Sequence, residues 1–109
     1  MSEEKERWEF VDKLTRLTYR YPRYEESFLT AKYLTEDIEK AIERCDFRAL
    51  AYSLTHLGEA IFPTVNEISK LESAMRFGEI SNLRFRLEDY LDYIGRKLSE
   101  KCGCRWTPR

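Results

Sequence analysis

The chain has 109 residues, 42% of them apolar and 14% aromatic, with 19 basic against 20 acidic side chains for a net charge of −1. That apolar content suits one folded domain, excludes disorder over most of the length, and disfavours a globally basic nucleic-acid binder or an acidic solvating chain. No stretch approaches the ~18 apolar residues a membrane span needs, and the polar opening Met1-Ser2-Glu3-Glu4-Lys5-Glu6 does not read as a secretory signal.

Helical periodicity dominates. The first segment runs from about Glu3 to Tyr21, with Phe10, Val11, Leu14, Leu17 and Tyr21 on one face. Ser2 is its expected N-cap and Pro22 its stop. The second runs from about Arg23 to Cys45 on a stripe of Tyr24, Phe28, Ala31, Leu34, Ile38, Ile42 and Cys45, as one helix or with a break near Thr30 or Thr35. Asp46 reads as the N-cap of a third segment, Phe47 to Phe62, whose seam is Phe47, Leu50, Leu54, Leu57 and Ile61. Pro63 is expected to stop it. Thr64 and Glu67 then have the spacing of a capping box opening a fourth segment with Val65, Ile68, Leu71 and Met75, ending at Gly78. The fifth starts near Ser81, carries Leu83, Leu87, Tyr90, Leu91, Ile94 and Leu98, and ends around Cys102. The fold expected is all-α: a single antiparallel bundle of four to five helices with short turns over residues 1–109, with 103–109 as a short tail.

From Phe47 to Asn66 only Arg48 and Glu59 are charged. A helix short of polar groups around most of its circumference is expected to be covered on more than one side. The third segment is therefore read as the central helix of the bundle or as the face of an oligomer. Its interaction residues are Phe47, Leu50, Ala51, Leu54, Leu57, Gly58 and Ile61. A second stripe, Ala51, Thr55, Gly58 and Phe62, is mostly small. Gly58 is expected to have a packing reason, since a helical glycine costs about 1 kcal/mol relative to alanine.

Chemistry-bearing residues are few. His56 is the one histidine, and helical spacing sets it beside Glu59, with Arg48 and Tyr52 on the same side. These four form the candidate polar site of a helical enzyme. A single histidine excludes the usual Glu-x-x-His di-iron bundle, and neither a metal site nor a cofactor is expected. Tyr19-Arg20-Tyr21-Pro22-Arg23-Tyr24 interleaves rings with guanidinium groups. Such clusters can hold single-stranded nucleic acid, which makes Arg20, Arg23 and Tyr24 candidate contacts. There is no phosphate loop, Gly-x-Ser-x-Gly or dinucleotide fingerprint, and no catalytic residue is assigned.

Three cysteines, an odd number, are expected to be free thiols in a cytoplasmic protein. An up-down arrangement of five helices separates Cys45 from Cys102 and Cys104 by about one helix length, roughly 30 Å, so no bridge between them within one subunit is expected. The absence of glutamine, the two asparagines and the 36% charged residues are a bias of heat-adapted proteins. The function expected is a small, non-enzymatic, homo-oligomeric interaction or regulatory protein, most simply a dimer. A nucleic-acid-binding regulator and a helical enzyme are the alternatives, and no membrane partner is expected.

Overall fold

The computed structural model describes residues 5–72 and 79–103. Nearly all of these are helical, and no strand occurs among them. In chain order they form α1 (Lys5–Arg20), a 3-10 turn (Pro22–Tyr24), α2 (Glu25–Glu43), α3 (Phe47–Glu72) and α4 (Glu79–Cys102). The all-α bundle is observed, with four helices. No helix among the described residues is long and apolar enough to cross a membrane. The expected cap at Ser2, the stop at Gly78 and the thiol of Cys104 lie outside the described residues.

The second segment is one unbroken helix. Thr35 sits in its buried stripe and returns its hydroxyl to the Lys32 carbonyl at 2.7 Å, so the polar side chain needs no partner beyond its own helix. The turn that follows is tight. Asp46 N–H donates to the Ala41 carbonyl and Cys45 N–H to that of Ile42, closing the end of α2 with the left-handed residue such a motif requires. That residue is Cys45, at φ 52°, a place usually taken by glycine. Asp46 then caps α3 as expected, its carboxylate accepting from the Ala49 N–H at 3.1 Å.

The stop at Pro63 is overturned. Segment three and the described part of segment four are one helix running through it, while Met75 lies outside the described residues. A proline removes one backbone bond and crowds the carbonyl one turn back. Here the buried stripe Leu57, Ile61, Thr64 and Ile68 stays in phase across it, and burying that stripe outweighs the local loss. Thr64 does not cap a helix start. It faces α2, where its hydroxyl donates to Ser27 Oγ at 2.8 Å. Replacing Pro63 with alanine should restore the missing bond and raise unfolding stability by about 1–3 kcal/mol. Denaturant titration measures this, and a loss of stability would show that the proline is needed where it stands.

The third segment is also not the central helix. That place belongs to α2, on which α1, α3 and α4 all pack. By contrast, α3 rests mainly on α2 and makes few contacts with α4. The shortage of charge along α3 therefore leaves an apolar face open rather than reflecting cover on several sides. Across the bundle, α1 and α4 run antiparallel. Arg96 of α4 donates to Glu6 at 3.0 Å and Arg86 to Glu9 at 2.8 Å, while Phe10 stacks on Tyr90. Partial burial pushes the Glu6 carboxyl up, but its backbone hydrogen bond and Arg96 outweigh this and hold it below the usual carboxylate range. The stability this pair adds is present above the unfolded pKa and is lost as the pH falls through the folded value. Solvent screening keeps it small.

The expectation for the thiols fails for the same reason as the Pro63 stop. With three and four merged, α2 and α4 both descend and finish at the same end of the bundle. Cys45 and Cys102 are joined there in a disulfide, with Cα atoms 5.7 Å apart.

Candidate functional site

The interaction residues assigned to the third segment divide between two faces of α3. Leu50, Leu57 and Ile61 are buried against the rest of the bundle, and Leu54 is half-buried at its edge. Phe47 and Ala51 are exposed, and Gly58 is half-exposed beside them. Phe62 belongs with this outer group, with 56% of its surface open against 48% for Phe47. The ring of Phe62 leans back over Gly58, as helix geometry favours. A Cβ built at Gly58 would lie 3.3 Å from the ring edge. That contact is with an exposed ring of the same helix, and no other helix comes within 4 Å of the position among the described residues.

The polar candidates lie on the adjoining flank of α3, between this outer group and the groove against α2. Tyr52, His56 and Glu59 line a groove of about 570 Å³ between α2 and α3, together with Glu26, Ser27 and Thr30. His56 Nδ1 is 3.2 Å from Glu59, and Tyr52 meets the imidazole edge-on at 4.2 Å between ring centroids. Arg48 does not line the groove. It is exposed and has no ion pair among the described residues. The sequence therefore placed three of the four polar residues together. The groove is open and its carboxylates repel phosphate. Among the described residues no cluster of three or more His, Cys, Asp or Glu side chains is arranged to hold a metal ion.

Each arginine of the Tyr-Arg cluster sits near its neighbouring ring. The Arg20 guanidinium is 5.9 Å from the centroid of Tyr21, and Arg23 is 5.9 Å from that of Tyr24. Tyr24 packs against the core, and its hydroxyl is buried without a partner among the described residues. Its ring is thus engaged in the fold rather than presented for stacking on a base.

No family model, curated protein or solved structure matches this chain.

One cluster escaped the sequence reading. Glu39 on α2 accepts from Tyr90 at 3.2 Å and from Tyr93 at 3.0 Å, both on α4, and lies 3.8 Å from Arg7 on α1. Both tyrosines are fully buried. Burial first, and the Glu39 carboxylate next, push the Tyr90 hydroxyl far above its ordinary value, so it stays a proton donor throughout the accessible pH range. The Arg7 guanidinium also stacks over Trp8 at 4.4 Å. This cluster ties three helices together away from the open surface. No signal local to Glu39 marks it, because its partners come from distant parts of the chain.

Proposed function

We propose that the protein is a non-enzymatic helical-bundle interaction protein that associates with a second copy of itself through the outer face of α3. The observation that carries this reading is the stretch Phe47–Asn66, which has two charged residues and lies on a helix whose main neighbour is α2. Phe47 and Phe62 remain open to solvent on it. Isolated exposed apolar residues are ordinary, but several on one weakly charged helix face mark a contact surface.

The nucleic-acid reading is weaker. Tyr24 packs against the core, and the groove beside α3 is acidic. The enzyme reading rests on the Tyr52, His56 and Glu59 groove, which brings one base and its carboxylate partner to an open surface.

Sedimentation across a range of protein concentrations tests the reading. The native chain should pass from monomer toward dimer, in the micromolar range expected of a small interface. The Phe62→Glu variant should remain monomeric while changing unfolding stability by less than about 0.5 kcal/mol, since an exposed site carries little of the fold. A native chain that stays monomeric at every concentration would rule the reading out.

A further inference from the structure

We infer that the second copy docks with its own α3 antiparallel to the first, about a two-fold axis that passes between Leu54 and Thr55. This rests on the self-association reading above and gives it a geometry.

The first ground is charge. Arg48 and Glu59 are the two charged residues between Phe47 and Asn66, and they are of opposite sign. At 100° per residue they fall on one flank of α3, beside the open stripe. A two-fold axis perpendicular to the helices brings like flanks together. It sets Arg48 about two residues, roughly 3 Å along the helix, from the partner's Glu59, and does so twice. A parallel pairing instead sets the two copies of this flank on opposite sides of the interface, where neither charge meets its counterpart, so only the antiparallel arrangement gains the two opposite-sign pairs. Arg48 has no ion pair within its own chain among the described residues. Glu59 meets His56 yet stays 67% exposed, with acceptor capacity to spare.

The second ground is the order of the open apolar residues. Phe47, Ala51, Gly58 and Phe62 are separated by four, seven and four positions, which reads the same in both directions. The same axis sets Phe47 against the partner's Phe62 and Ala51 against the partner's Gly58. Large rings then meet at both ends, and the small centre lets the helices approach. An interface between two identical surfaces must be self-complementary in this way.

Two experiments test the geometry, both in a Cys104→Ser background that keeps the Cys45–Cys102 bridge. In the first, the charges are reversed. Arg48→Glu alone and Glu59→Arg alone should each weaken self-association roughly tenfold. An equimolar mixture of the two variants should recover native affinity, because every cross-pair is then opposite in sign. In the second, single cysteines are introduced and mildly oxidised. T55C should cross-link to itself. A51C should not, because the axis offsets its two copies by roughly 10 Å, whereas A51C mixed with G58C should. Self-linking of A51C, or charge variants that associate like the native chain, would overturn the antiparallel register and leave self-association standing. A native chain that never associates removes both.

Discussion

Reducing the Cys45–Cys102 disulfide is expected to lower the stability of the fold by about 4 kcal/mol. The two cysteines are 57 positions apart. Cross-linking them removes the closure entropy of a long loop from the unfolded ensemble, and that entropy grows with the logarithm of loop length. In the folded state the bridge joins ends that already meet, the turn that closes α2 and the last turn of α4. For a chain of this size the thermal midpoint should fall by roughly 15–30 °C on reduction. Melting with and without reductant, alongside a Cys45→Ser and Cys102→Ser double variant, measures this. The double variant should melt with the reduced native chain. Cys104→Ser should melt with the oxidised one. A fall of only a few degrees in the double variant would show that the two thiols contribute little when joined.

The second large effect is expected at Glu39. Replacing it with leucine takes the acceptor from two buried tyrosine hydroxyls and a carboxylate from beside Arg7. Buried donors left without partners cost about 1–3 kcal/mol each, so a loss of about 3 kcal/mol or more is expected. The loss should not add to that of the tyrosines. With Tyr90→Phe and Tyr93→Phe already present, the hydroxyls are gone and Glu39→Leu should cost far less. Chemical denaturation of the members of this cycle gives the coupling. Additive costs would show that the three side chains do not act as a unit.

These two sites mark where the sequence was opaque. The first, second and last helices were legible because their apolar residues recur at helical spacing and their ends carry ordinary signals, Pro22 and Asp46 among them. Pro63 reads as a stop because it is a strong local signal, whereas the helix that passes through it is set by a longer-range one. Leu57, Ile61, Thr64 and Ile68 keep their phase across Pro63, and that continuity was present in the sequence. The added helix then reversed the direction of the last one and moved Cys102 to the wrong end of the bundle. Glu39 had no such trace. A carboxylate next to a buried isoleucine reads as solvated until its tyrosine partners, some fifty residues away, are folded over it. The polar residues of the third segment fared better, because Tyr52, His56 and Glu59 lie on one helix and their mutual positions follow from its pitch.

The placement of α3 on a single main neighbour bears on how the molecule opens. The bridge secures α2 to α4, and the Glu39 cluster joins both of these to α1, so three helices are held by bonds that α3 does not share. Proteins open in contiguous units, and a helix outside these cross-links can leave the bundle without breaking them. Amide hydrogens along α3 should exchange with solvent well before those in the middle of α2, at a free energy below that of global unfolding. Pairing with a second copy would slow that exchange in α3 more than elsewhere. This helix would thus be the part of the chain whose protection reports the presence of a partner.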